Sequence, residues 1–178
     1  MSLSFTANST NKVAVTNPAT WGAGSKWSYI QWVRQRSAPS DSQGSARQSG
    51  IDLLVYFGSV GWFTFLDRAT TAAETRVSNA NLFPNTGWTF VVQTYSEANG
   101  IRFYRGTLTT APVEMSYSLK TIGSGDTSAN SSDLFIGNRG PTSSNAPPHD
   151  IALAHLLDVE LTLGEIQALW VGDHTAIV

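Results

Sequence analysis

Acid–base chemistry needs carboxylates close together, and the five Glu of this chain (Glu74, Glu97, Glu114, Glu160 and Glu165) are isolated from one another. Retaining glycoside hydrolysis takes two carboxyl groups about 5–5.5 Å apart, one as nucleophile and one as acid. On a strand that spacing arises from acidic residues at i and i+2 or i+4, which share a face. Asp158 with Glu160 is the one i, i+2 acidic pair, and Glu165 is better explained as a helix cap. A Ser nucleophile finds no Gly-x-Ser-x-Gly turn. His149, His155 and His174 share no metal-ligand spacing, and His155 reads as a half-exposed sheet residue. Without Cys the chain has no thiolate nucleophile, thiolate metal site or disulfide. These residues do not compose an active site, and the expectation is a protein that is not an enzyme.

The elements that carry them are first bounded by composition. A chain of 178 residues suits one domain with a core of its own. Only 13% of residues are charged, against roughly 25% in ordinary globular domains. Ser, Thr and Asn take up the difference, with 21, 19 and 10 copies. A surface so poor in Glu and Lys offers few helical faces, and the fold class expected is all-β. Net charge is −2, with 8 Arg and 3 Lys scattered singly. No basic row exists to neutralise phosphates or to hold a membrane surface, so neither nucleic acid nor membrane is expected as a partner. The opening MSLSFTANSTNKVAV lacks the basic and apolar regions of a secretory signal, and no apolar run approaches 18 residues. A protein made in the cytoplasm is expected.

Short apolar runs recur every 8–12 residues between Gly, Pro, Ser, Asn and Asp, the rhythm of packed sheets. A first strand pair is expected at Leu3–Thr6 and Lys12–Val15. Trp27–Arg34 follows, with Trp27, Tyr29 and Val33 on one face and Ile30 and Trp32 on the other. The apolar-poor stretch Pro39–Gly50 reads as a long loop. Ile51–Phe57 and Trp62–Leu66 flank a Gly-Ser-Val-Gly turn, and Glu74–Ser78 reads as a weak edge strand. Trp88–Tyr95 and Ile101–Arg105, joined by Glu-Ala-Asn-Gly, read as an antiparallel hairpin. Asp133–Gly137 and Ile151–Asp158 supply the last strands, and the stretch 123–132 reads as a loop. One helix is expected over 161–170, with Thr162 as N-cap, Glu165 completing a capping box and Gly172 as a stop. The expected core includes Ile30, Trp32, Trp88, Val91, Phe103, Phe135, Ile136, Ile151 and Leu156.

Four segments in order carry a family likeness: WSYIQWVRQ at 27–35, GWTFVVQTYSEANGIRFYRG at 87–106, DLFIGNRG at 133–140 and IALAHLLDVELTLGEIQALW at 151–170. With them the chain resembles the concanavalin A-like lectin/glucanase superfamily, in its laminin-G and pentraxin-like branch. It departs from that pattern in FYRG at 103–106, which is one residue short, and in Pro147-Pro148, which replace the usual Phe-x-Gly. The resemblance implies a single domain over 1–178, a two-sheet antiparallel jelly-roll sandwich with one short C-terminal helix. It also implies that Trp27, Trp32, Trp88 and Trp170 are core. The glucanase branch carries Glu-x-Asp-x-x-Glu, and no such run is present. Because domains of this branch often bind calcium at loop ends, Asp126, Asp133 and Asn138 are candidate ligands, with Asn130 beside them and Asp52 and Asp150 more distant. Calcium takes 6–8 oxygens, and the alternative is that these residues simply form turns. A glycan would need aromatic platforms and planar polar groups: Trp21, Trp62 and Tyr104, with Arg102, Asn138 and Arg139. For Trp21 and Trp62 a core reading stands equally open.

The function expected is a non-catalytic lectin-like module. Its setting is expected to be a bacteriophage virion surface, as a capsid decoration, head-fibre or tail-associated protein among other virion or capsid proteins, touching glycans. The alternatives are a carbohydrate-binding module of a bacterial glycan-utilisation system, or a divergent glycoside hydrolase. Weak single sites gain from many copies, and a homo-oligomer is expected.

Overall fold

A strand with apolar side chains at both odd and even positions must be covered on both faces, and Trp27–Gln35 and Trp88–Ser96 are of this kind. Both are buried almost without interruption over nine residues. They form the centre of a computed structural model that describes residues 3–5, 12–16, 26–37, 46–48, 51–56, 62–66, 74–78, 87–121, 133–138 and 148–174. In chain order the strands are β1 (Leu3–Phe5), β2 (Val13–Val15), β3 (Trp27–Gln35), β4 (Ala46–Gln48), β5 (Ile51–Tyr56), β6 (Trp62–Leu66) and β7 (Glu74–Ser78). They continue as β8 (Trp88–Ser96), β9 (Gly100–Thr107), β10 (Val113–Glu114), β11 (Tyr117–Thr121), β12 (Leu134–Ile136) and β13 (His149–Leu157), followed by helix α1 (Leu163–His174).

Among the described residues the protein is mostly β, with two antiparallel sheets and one short helix. The six-stranded sheet runs β1-β13-β3-β8-β9-β10, and the seven-stranded sheet runs β11-β7-β6-β5-β4-β12-β2. One face of the six-stranded sheet buries Trp27, Tyr29, Val33, Val91, Tyr95, Ile101 and Phe103 against Leu134 and Ile136 of the other sheet. Trp27 stacks on Tyr95, with ring centroids 5.7 Å apart. Tyr29 donates to Gln31 Oε1 at 3.1 Å, and its complete burial pushes the phenol far above its ordinary pKa. The opposite face buries Ile30, Trp32, Phe90, Val92, Tyr104 and Ala152 beneath Leu161 and Ile166. The two-faced pattern of β3 thus reports two cores, one on each side of the sheet.

The helix is attached at both ends. Buried Ser28 donates to Val159 O at 2.7 Å and accepts from Leu161 N at 3.0 Å, fixing the chain that enters α1. Trp170 Nε1 donates to Thr107 O at 2.8 Å and Gln167 Nε2 to Pro112 O at 3.1 Å. Gly106 is required at that second attachment, because an added Cβ would sit 3.0 Å from both Pro112 N and Thr110 O. The capping box forms as expected: Thr162 N and Oγ1 donate to Glu165 Oε2 at 2.8 and 2.7 Å, and Glu165 N donates to Thr162 Oγ1 at 3.4 Å. First the backbone bond and then the hydroxyl bond from Thr162 hold the Glu165 carboxyl below its ordinary pKa. A depressed carboxyl contributes stability above its unfolded pKa and loses it as pH falls through the folded value. The stability gap between the protein and Glu165→Gln should therefore narrow as pH drops below about 4. Urea midpoints at neutral and acidic pH measure it, and a constant gap would contradict the cap.

The β13 ladder shifts register between Ala152 and Ala154, where Leu153 lies in the left-handed region with φ 57°. This bulge returns Leu156 to the inter-sheet face opposite Tyr29 and turns Leu157 to the helix face opposite Ser28. A β-branched residue tolerates that backbone badly. Leu153→Val should cost about 1–2 kcal/mol, while Leu153→Asn stays within about 0.5 kcal/mol of the parent. Equal urea midpoints for the two variants would rule the strain out.

Several expectations are corrected. β1 and β2 are not a pair, because β1 pairs with β13 in one sheet and β2 with β12 in the other. The stretch read as the loop Pro39–Gly50 contains β4, which is laddered to β5 on one side and β12 on the other. β10 and β11 were not expected. The helix does not stop at Gly172 but runs through it to His174. Ile30, Trp32, Val91, Phe103 and Ile151 are buried as expected, whereas Trp88, Phe135, Ile136 and Leu156 are only partly so. The loop expected at 123–132 lies outside the described residues.

Candidate functional site

The β8–β9 hairpin turns through Glu97, Ala98 and Asn99 onto Gly100, whose φ of 66° only glycine adopts without strain. That turn places Asn99 three residues before Arg102. Arg102 and Tyr104 alternate with Phe103 on β9, opposite Thr94 and Val92, and so share the face on which α1 lies. Arg102 Nη2 donates to Asn99 Oδ1 at 3.2 Å, and Asn99 Nδ2 donates to both Glu160 oxygens at 2.9 and 3.0 Å. On its other side Arg102 Nη1 lies 3.9 Å from Glu114 Oε2. Glu114 Oε1 accepts from Tyr117 Oη at 2.9 Å, and that oxygen accepts from Phe103 N at 3.0 Å, closing the β9 edge beyond the two residues of β10. A hydrogen bond to Tyr104, and then Glu114 and Glu160, raise the Arg102 pKa above its ordinary value, so it stays a cation. With Arg102 37% exposed and Glu114 41% exposed, this cluster presents planar donors and acceptors to solvent. Such groups suit the paired donor and acceptor character of sugar hydroxyls. Tyr104 itself is buried, so its ring is not a stacking platform.

A second polar cluster lies at the other end of the same face. Trp88, Arg34 and Asp150 are cross-strand neighbours on β8, β3 and β13. Arg34 Nε and Nη2 donate to Asp150 Oδ2 at 3.0 and 2.7 Å, and Arg36 Nε lies 3.5 Å from Oδ1. The Arg34 guanidinium stands 5.1 Å from the Trp88 ring centroid, a cation–π contact. Both guanidiniums are more than 40% exposed over a carboxylate that is 1% exposed. Trp88, expected in the core, therefore stands at its margin. From Arg34 to Ser28 along β3 is about 20 Å, and α1 packs on the sheet between the two clusters.

The other candidates are not gathered with these. Asn138, a candidate for both glycan and calcium, is fully buried. It lies just beyond the end of β12, while Asp133 precedes the strand, so the two calcium candidates flank it at opposite ends. Trp62 opens β6 in the other sheet. Trp21, Asp126, Asn130 and Arg139 lie outside the described residues. Among the described residues no three His, Asp or Glu converge as a metal group. Asp158 is exposed in the turn after β13 and Glu160 is engaged by Asn99, so the acidic pair does not share a strand face. The inter-sheet face carries the neutral amides Gln31 and Gln93, both buried. His155 Nε2 lies 3.3 Å from Asp173 Oδ2 on the helix. Between β13 and α1 a groove of about 450 Å³ is lined chiefly by Leu157, Leu161, Ala168 and Leu169, which offer a sugar little hydrogen bonding. No helix of the described residues is long and apolar enough to cross a membrane.

No protein-family model and no curated protein sequence matches the chain. Solved structures do. The binding domain of Paraclostridial Mosquitocidal Protein 1 superposes with a TM-score of 0.69 at 9% identity, over 95% of this chain and 42% of that one. The binding domain of botulinum neurotoxin serotype G gives 0.67 at 12% identity, over 97% and 42%. A structure of botulinum neurotoxin type C, whose cell entry is dependent upon interaction with two ganglioside molecules, gives 0.61 at 14% identity, over 90% and 39%. At these identities the likeness is one of fold, and the chain spans about two fifths of the length of each. The first two matches are binding domains rather than catalytic ones.

Proposed function

We propose that this protein is a non-catalytic, lectin-like module that binds glycan through the Asn99–Arg102–Glu114–Glu160 cluster. The observation that carries the reading is Arg102 itself: a half-exposed cation, fixed by Asn99, Tyr104 and Glu114, at the open end of a helix-covered sheet. Two binding domains among the structural matches, and a third match whose cell entry is dependent upon interaction with two ganglioside molecules, support it. The chain crosses between sheets at β1–β2, β2–β3, β3–β4, β7–β8, β10–β11 and β12–β13. We read that winding as a concanavalin A-like jelly roll of the laminin-G and pentraxin-like branch. A glycan array is the test: Arg102→Ala should weaken the best-bound glycan at least tenfold, the loss of one charge-assisted hydrogen bond. Unchanged binding, or no binding to any glycan, would end the reading.

The same proposal sets several copies on one particle, a virion surface, where avidity rises by about 10²–10⁴ over a weak single site. The low-charge, hydroxyl-rich composition supports this setting. Native mass and co-sedimentation with phage particles test it: a monomer that sediments with none would leave the glycan reading without its viral setting.

A further inference from the structure

The geometry points to a second binding site on the opposite face of the same sheet, built on Arg105 and Thr89 and selective for the carboxylate of a small acid. Cross-strand pairing lines up Gln31, Val91, Arg105 and Val113 across β3, β8, β9 and β10. Val91 belongs to the core between the sheets, so this row faces inward, away from Arg102 and α1. Its inner end is closed, since Gln31 is wholly buried, whereas Val113 at the β10 edge is 58% exposed. Arg105 is the charged side chain of the row and stands where it opens to solvent. Its Nε is buried without a hydrogen bond, and among the described residues no carboxylate pairs with it. Desolvation lowers its pKa, yet a guanidinium remains a cation at neutral pH. Thr89, two residues from Val91, shares the face and lies one diagonal step from Arg105, about 7–8 Å across the ladder. It is wholly buried, and its Oγ1 has no hydrogen-bond partner either.

Buried donors are as a rule paired, and a desolvated cation without a partner is costly. Two such donors on one face, at the mouth of the inter-sheet layer, suit an acceptor that comes from outside the chain. An anion answers the guanidinium. A planar one answers it best, because Nε and the Nη beside it form a fork that fits both oxygens of a carboxylate. Chloride meets the same fork with a single atom. The Thr89 hydroxyl, across the diagonal, is a further donor for one carboxylate oxygen. None of these residues belongs to the Asn99–Arg102–Glu114–Glu160 cluster, so the two sites stand or fall separately.

Sodium acetate titrated into the full chain, against sodium chloride at matched ionic strength, tests the site. The Arg105 Nε–H resonance and the urea midpoint are the readouts. Acetate should move that resonance saturably, raise the midpoint by binding the folded state alone, and bind at least about tenfold more tightly than chloride. Arg105→Met should abolish both responses and, without acetate, be no less stable than the parent, since it removes an unpaired charge from a desolvated position. Thr89→Val, which keeps the shape and removes the hydroxyl, should weaken acetate about fivefold, the loss of one neutral hydrogen bond. An Arg105 resonance that acetate leaves unmoved, or chloride binding as tightly as acetate, would overturn the inference. So would an Arg105→Met variant that is clearly less stable without acetate, because the guanidinium would then have a partner within the protein. If the glycan reading fails alone, no glycan perturbs Arg102 while acetate still reports at Arg105. If this inference fails alone, glycans still perturb Asn99 and Arg102 while acetate moves nothing at Arg105.

Discussion

Trp32→Ala is expected to lower the unfolding free energy by about 3–5 kcal/mol. Trp32 is wholly buried, 5.1 Å from the Phe90 ring at a tilted angle, in the cluster that Leu161 and Ile166 complete from above. The strands beneath it cannot close the void, since β3 is laddered to β13 on one side and β8 on the other. The lost volume falls directly under α1, so the helix loses much of its seat. Set against a total of about 5–15 kcal/mol for a domain, that loss leaves a marginal protein whose helix amides exchange ahead of the β3 and β8 amides. Urea unfolding and amide exchange read the two effects. A cost below about 1 kcal/mol, with α1 as protected as before, would mean that the helix does not rest on this face.

Arg34→Ala is expected to cost about 3 kcal/mol, far more than an ordinary half-exposed surface change. Its removal takes two short hydrogen bonds from Asp150, a carboxylate 1% exposed, and leaves Arg36 at 3.5 Å among the described partners. The figure sits at the low end for a broken buried pair because Arg34 is itself 44% exposed and water reaches its outer edge. Arg34→Ala/Asp150→Ala should recover part of the loss, since the buried carboxylate that Arg34 served is then gone. A double-mutant cycle gives the coupling. Single and double variants of equal stability would show that the pair is not what holds β3 to β13 at this end.

Local chemistry made some of this legible from sequence. The Thr162–Glu165 capping box, the Glu-Ala-Asn-Gly turn and the two apolar faces of Trp27–Arg34 each depend on residues within one element, and each forms. What failed was non-local. β1 and β2 lie near one another in sequence yet join different sheets, because their partners β13 and β12 are more than 100 residues away. β4 has no apolar signature, and its pairing comes from two neighbours already in place. For the site, the sequence offered Arg102 as a planar polar group to accompany an aromatic platform, whereas Asn99, Glu114 and Glu160 join it only through the fold. The Arg34–Asp150–Trp88 row was hidden for the same reason: its members are 54 to 116 positions from Arg34 in the chain and meet through register alone. Asn138, a candidate for both glycan and calcium, is buried, since a polar side chain next to a Gly turn reads the same whether it faces water or the interior.

The most direct test of a non-catalytic glycan-binding module is a backbone amide titration of the full chain with the best glycan from an array. The account predicts shifts confined to Asn99, Arg102, Glu114, Tyr117 and Glu160, saturating with one site, and the glycan recovered intact after prolonged incubation. A cleaved glycan, or saturable shifts that leave these five residues unmoved, would contradict it.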